Sequence, residues 1–239
     1  MPPISRVQPE LEDRLIQGLA QISLALTTEQ RARCLDFLEH LYRWNRVHSL
    51  TAVPSLDMAV DRHLLDALQV APGLAGALAG QEGQPLVLDV GAGTGVPGIP
   101  LAIALPQTRW TLVERVARKA AFLRQAISRL GLAGRVSVAQ ADVRDLQMDS
   151  GCEIILSRAF AALPRFVDWT FHLSNSSTQW VYLAGRMERV EGLDAMGQVD
   201  LEQESEVSLL PNRPRLSVRV EVLGQAVVER HVVWIRQKA

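Results

Sequence analysis

The chain has 239 residues, 48% of them hydrophobic and 21% charged, with 25 basic and 26 acidic side chains. That suffices for one α/β domain with a sizeable core and a small extension, and excludes two full domains or a disordered chain. A formal charge of −1 gives no global attraction to nucleic acid, so any such partner needs a local basic patch.

Residues 1–75 read as a helical extension packed on the rest of one compact unit. The first residues lack an apolar signal core. Leu11, Leu15, Leu19, Ile22 and Leu26 recur every three or four positions, which places them on one helix face. Thr27-Thr28-Glu29-Gln30 has the form of a capping box, in which side chains satisfy the free amides of a helix start. The helix it opens buries Cys34, Phe37, Leu38, Leu41 and Trp44. A third helix starts near Ser55, carries Arg62, His63 and Asp66, and stops near Pro72. The Gly- and Ala-rich stretch 73–83 then reads as a loop and as the boundary to a second region, 84–239.

From Pro85 short apolar runs alternate with helical patterns. Leu86–Val90, Trp110–Val113, Val136–Ala139, Ile154–Leu156 and Trp180–Leu183 read as strands, with helices near Ile99–Ala104, Val116–Leu130 and Pro164–Phe171. This alternation predicts a parallel sheet covered on both faces. Leu216–Leu223 and Val227–Arg236 are joined so closely that they must form an antiparallel hairpin. The expected fold is α/β and Rossmann-like, with a mostly parallel seven-stranded sheet ending in that hairpin. Cys34 and Cys152 have no Cys or His at ligand spacing, so neither a disulfide framework nor a metal site is expected. No stretch approaches a membrane span, and the chain reads as soluble and cytoplasmic.

The strongest local signal is Leu86 to Gly98, L-V-L-D-V-G-A-G-T-G-V-P-G. An apolar strand ends at Asp89, and Gly91, Gly93, Gly95 and Gly98 punctuate the turn into a helix. Glycines let the backbone adopt positive φ and approach a ligand closely, here at the carboxyl edge of the sheet. Gly93-x-Gly95-x-x-Gly98 also satisfies the dinucleotide fingerprint, which keeps a nicotinamide dehydrogenase open. Acids at the ends of three consecutive strands, Asp89, Glu114 and Asp142, favour S-adenosylmethionine (SAM). Its sulfonium and amino groups are cationic, whereas Asp89 would repel a pyrophosphate. Glu114 could accept both ribose hydroxyls and Asp142 an adenine amino group.

The fourth strand ends in Leu156-Ser157-Arg158-Ala159-Phe160, with no Asn/Asp-Pro-Pro-aromatic signature for an exocyclic amine. Cys152 lies at the wrong end of that strand for attack on a pyrimidine. An acceptor that is already nucleophilic remains. Guanine N7 is one: it has a lone pair and no proton, so alignment suffices. Residues 109–135 carry seven basic side chains and one acidic, a solvated face or a phosphate-contacting stripe.

The sequence resembles the ribosomal RNA small subunit methyltransferase G family, also called glucose-inhibited division protein B. The resemblance rests on Trp44-Asn45-Arg46 with Leu50-Thr51, Arg62-His63-x-x-Asp66, the loop Gly91–Gly98, Phe122-Leu123-Arg124, Ser157–Phe160 and Glu229-Arg230-His231. It implies methyl transfer from SAM to N7 of one guanine in 16S ribosomal RNA of the small subunit; nothing in the sequence demands more than a monomer. On the cofactor it places Gly91 and Val96 at the methionine, and Glu114, followed by Arg115 and Val116, at the ribose. Val143 and Arg144 then lie at the adenine. Arg158 would border cofactor and target base, with His63 and Asp66, at i and i+3 on one helix face, beside the target pocket. Arg62, Arg118, Lys119, Arg124 and Arg186 are the candidate RNA contacts. Three positions depart from the family pattern: Ser49 for Asn, Ala67 for Ser, and Ala184 for a lysine before Gly185. The last keeps open a SAM-binding protein with weakened activity, or one acting on another RNA or a small molecule.

Overall fold

The computed structural model describes residues 9–185, 205–210, 214–223 and 229–237. Helix α1 (Pro9–Gln21) buries Leu11, Leu15 and Leu19, while Leu26, expected on the same helix, is buried from the loop that follows. Helix α2 (Thr28–His48) opens on the expected capping box. Thr27 Oγ1 accepts the Gln30 amide at 3.2 Å, and Gln30 Oε1 accepts the Thr27 amide at 2.9 Å. The helix ends at Ser49, whose left-handed φ of 50° turns the chain and whose amide donates to the Asn45 carbonyl. Burial of Phe37, Leu38 and Leu41 along α2 stabilises the fold by roughly 1.5–3 kcal/mol per side chain.

Next come α3 (Leu56–Ala59), a π-helical stretch (Val60–Leu65) and α4 (Asp66–Leu68), without a break. Pro72 does not stop this region. It sits in the first turn of α5 (Ala71–Ala77), where its missing amide costs nothing. The expected Gly/Ala loop is therefore half helix. Gly73 is required there because a Cβ would run into the Trp234 ring.

Strands β1 (Leu86–Val90), β2 (Arg109–Val113), β3 (Val136–Ala139), β4 (Ile154–Arg158) and β5 (Gln179–Ala184) pair in parallel. Strands β6 (Ser205–Val207), β7 (Leu216–Leu223) and β8 (Arg230–Gln237) are antiparallel, giving the order β3-β2-β1-β4-β5-β8-β7-β6. The expected hairpin is β7–β8, in register from Leu216↔Gln237 to Leu223↔Arg230; its turn lies outside the described residues. The three-residue β6 adds an eighth strand, too short to leave a pattern in the sequence.

Helices α6 (Gly98–Ala104), α7 (Ala117–Arg129) and α8 (Leu163–Thr170) complete the layers. Strand residues alternate between the two faces. Val87, Leu112, Ile154 and Val181 share one apolar cluster with α1 through α7, so the N-terminal helices are part of the core. Leu88, Val90, Ile155 and Trp180 meet α8 on the other face. Arg129 ties α7 to α2 through buried Asp36 at 2.7 Å. Among the described residues no helix is long and apolar enough to cross a membrane.

Candidate active site

Strand order reverses between β1 and β4, and ligands of such sheets bind at the carboxyl ends of the strands beside that point. The glycine loop fills this position. Gly91, Gly93 and Gly95 have φ of 71°, 58° and 81°, which lets the chain leave β1 and enter α6 without strain. Asp89 does not reach the ligand side. It is 1% exposed, and its Oδ2 accepts the Gly98 amide at 3.0 Å, bracing the start of α6. Burial pushes its carboxyl up to about 7, against the pull of the Gly98 amide and of Arg158. A Cβ on Gly98 would collide with Asp89 and Leu112, so the final glycine serves helix–strand packing.

A cleft of about 440 Å³ opens beside this loop, within the roughly 300–1,000 Å³ of small-molecule sites. Glu114 lies at its floor, 5% exposed, at the end of β2. Its Oε2 accepts the Gly93 amide at 2.9 Å and its Oε1 the Val116 amide at 2.8 Å. Each carboxylate oxygen can accept a second bond, so both can still take a ribose hydroxyl. Val116, 39% exposed, and buried Val143 supply apolar walls suited to a base. Asp142 Oδ1 accepts the Arg144 amide at 3.1 Å, and its carboxylate pairs with the Arg144 guanidinium at 2.8 Å. That guanidinium holds the Asp142 carboxyl well below the usual range and stacks 5.1 Å from the centre of the Trp169 ring. Trp169 in turn meets Phe160 edge-on, and Phe160 covers Gly91 so closely that a Cβ there would strike it. Carboxylate acceptors at the floor and rim, with apolar walls between them, match SAM.

A second cleft, of about 530 Å³, adjoins the first at Ala159, which lines both. Ala159 adopts φ of 54°, rare for a residue with a side chain, at the end of β4. Arg158, Tyr182, Ala184, Gly185 and Arg230 line this cleft. Behind it lies Asp66, 0% exposed. Its Oδ2 takes Arg158 Nη1 at 2.8 Å, and its Oδ1 takes Arg230 Nε at 2.8 Å and Nη2 at 2.6 Å. Two guanidinium groups from opposite strands are thus held by one buried carboxylate.

His63 and Asp66, expected on one helix face beside the target pocket, turn to different partners. His63 sits in the π-helical stretch, whose wider turn moves i and i+3 off a common face. Its Nε2 meets Thr51 Oγ1 at 2.9 Å and its Nδ1 the Arg62 carbonyl at 3.2 Å. Because a carbonyl only accepts, Nδ1 carries the proton and Nε2 accepts from Thr51. Burial, reinforced by Arg158, lowers the His63 pKa and keeps the ring neutral. Thr51 is anchored in turn by Asn45 Oδ1 at 2.8 Å. This chain of bonds fixes the 49–55 segment against the site and engages both His63 ring nitrogens.

Of the candidate RNA contacts, Arg62 and Arg118 are exposed, and exposed Arg124 binds Gln140 Oε1 at 3.1 Å. Lys119 and Arg115 line the cofactor cleft; Arg186 lies outside the described residues. Val96 is buried in the glycine loop. Arg230, Phe160 and Trp169 were not among the sequence-predicted site residues. Two of them lie in motifs that carried the resemblance, Phe160 after Arg158 and Arg230 after Glu229, which was the signal available. Cys152 precedes β4, and burial pushes its thiol up to about 12, consistent with no nucleophilic role.

A family profile described as rRNA small subunit methyltransferase G matches residues 30–213. Curated relatives named ribosomal RNA small subunit methyltransferase G include one from Alteromonas mediterranea. It is 32% identical over 232 residues, which cover 97% of this chain and 99% of that one. Another, from Ectopseudomonas mendocina, is 39% identical over 173 residues, covering 72% and 78%. Among solved structures, magnesium protoporphyrin IX methyltransferase from Synechocystis PCC 6803, with bound SAM, aligns with a TM-score of 0.52. At 13% identity, over 90% of this chain and 99% of that one, the likeness is one of fold.

Proposed function

The chain belongs to the ribosomal RNA small subunit methyltransferase G family, and from that premise we propose that it transfers a methyl group from SAM to N7 of one guanine in 16S ribosomal RNA. The observation that carries this reading is the meeting of two clefts at Ala159. One has the carboxylates and apolar walls of a cofactor site, and the other is rimmed by guanidinium groups suited to an RNA base. SAM supplies an electrophilic methyl carbon when bound.

This chain's residues bind and align. Glu114 holds the ribose, Val116 and Val143 flank the adenine, and Gly91 and Val96 admit the methionine portion. Arg115, Asp142 and Arg144 close the outer side. Arg158 borders the junction where methyl and base meet, and Asp66 positions it. Guanine N7 has a lone pair and no proton, so the site needs no general base, in keeping with a neutral, fully engaged His63. Rate enhancement rests on proximity and alignment. Arg62, Arg118, Lys119, Arg124 and Arg186 contact the RNA backbone.

The helical extension, residues 1–75, and the methyltransferase region, residues 84–239, act as one unit, supported by their shared apolar cluster. The substrate is the small ribosomal subunit in the cytoplasm. The protein acts as a monomer, since residues of one chain line both clefts. Expressing the chain in a bacterium lacking its own family member tests the reading. Restored N7-methylguanosine in 16S RNA supports it, and unmodified 16S RNA with soluble, SAM-binding protein present refutes it.

A further inference from the structure

Arg230 begins β8 and lies 164 residues from Asp66 in sequence, yet it is bound to the same carboxylate as Arg158. Three of its five N–H groups are engaged. Nε and Nη2 donate to Asp66 Oδ1, and Nη1 donates to the Ala184 carbonyl at 3.2 Å. Among the described residues the other two N–H groups have no partner, on a side chain that is 16% exposed and lines the acceptor cleft. The guanidinium is therefore oriented before any substrate arrives, which reduces the ordering cost of each new bond.

Resting on the reading that guanine enters this cleft, we propose that Arg230 is a specificity-determining residue whose free N–H groups donate to guanine O6. Guanine presents two acceptors on one edge, N7 and O6, whereas adenine presents N7 beside an amino donor. A guanidinium has donors only. It accepts guanine and sets donor against donor with adenine. Arg158, next to Ala159 at the junction of the clefts, lies nearest the reacting atom. Arg230, set against Ala184 on the side away from the cofactor, meets the neighbouring atom along the same edge. O6 is thereby gripped while N7 stays free to attack. Asp66, fully buried, acts as a positioning residue for both arginines.

The test compares small subunits reconstituted with 16S RNA carrying either guanine or 2-aminopurine at the methylated position. 2-Aminopurine keeps N7 and lacks O6. Wild-type protein is expected to prefer guanine by roughly 10- to 150-fold in kcat/KM, the value of one charge-assisted hydrogen bond. Arg230→Met should reduce that ratio to about threefold or less, through loss of rate on guanine. Arg230→Lys, whose ammonium cannot form the three-bond fork, should fall between. SAM affinity identifies the folded variants, and either substitution suffices for the ratio. A wild-type ratio in a folded variant overturns the assignment of Arg230, even if both rates fall, because phosphate contact or scaffolding would lower them equally. Failure of wild-type protein to methylate the guanine substrate overturns the functional reading and this one with it.

Discussion

Glu114→Gln removes a carboxylate that braces the glycine loop and, in the proposed site, holds the ribose. In the wild type its oxygens accept the Gly93 amide at 2.9 Å and the Val116 amide at 2.8 Å while 5% exposed. Glutamine offers one carbonyl, so one of these buried amides faces an NH₂ donor. The loss is about 1–3 kcal/mol of stability, or roughly 2–12 °C in Tm for a chain of this size. The ribose hydroxyls lose charge-assisted bonds of about 1.5–3 kcal/mol each. Loss of one such bond raises the Kd for SAM roughly 10- to 150-fold. Calorimetric titration with SAM and with S-adenosylhomocysteine, beside thermal melts of both proteins, reads the two effects separately. Both ligands should weaken alike, because they share the ribose. A lowered Tm with unchanged affinity would refute the reasoning: Glu114 would then be a brace for the loop, with the ribose elsewhere.

Asp89→Asn keeps an acceptor for the Gly98 amide while removing a group whose folded value, about 7, exceeds its ordinary 3.8. As pH rises the unfolded chain releases this proton first, so wild type loses stability, about 4 kcal/mol in all, between about pH 4 and pH 7. Melts should show the variant gaining on wild type across that window; a constant difference would mean that Asp89 ionises normally. Arg118→Ala should weaken binding to 16S RNA, lower the slope of log affinity against log salt by about one, and leave SAM affinity alone. An unchanged slope would return Arg118 to a solvated face. Ser49→Gly should raise stability by up to about 1 kcal/mol, since a left-handed side-chain residue costs roughly 1–2 kcal/mol, partly offset by glycine's freedom when unfolded. A lower Tm would show that the serine is held by more than its backbone.

The strands were legible because buried parallel strands are short apolar runs, and Leu86–Val90, Val136–Ala139 and Leu216–Leu223 match their observed bounds. The capping box at Thr27 was legible because its two bonds are local. Pro72 misled because a proline marks a helix start as readily as a stop, and what decides is Trp234, 161 residues away, against Gly73. The acids show the same divide. Glu114 faces the cleft, whereas Asp89, one strand over, is swallowed by a turn of nine residues that returns the Gly98 amide to it. Spacing alone cannot tell those outcomes apart. His63 and Asp66 were placed on one face by α-helical arithmetic that a π-helical stretch invalidates. Arg230 needed the sheet order itself, since only the antiparallel return of β8 beside β5 brings it to Asp66.

Methyl transfer from labelled SAM by the purified protein to 30S subunits that lack the modification tests the central claim most directly. The RNA would be digested and the labelled nucleoside identified. Label in 7-methylguanosine at a single site is the predicted result, and it would show that Ala184 is compatible with activity. Intact SAM binding with no label in 7-methylguanosine would contradict the account and leave a cofactor-binding protein with another acceptor or none.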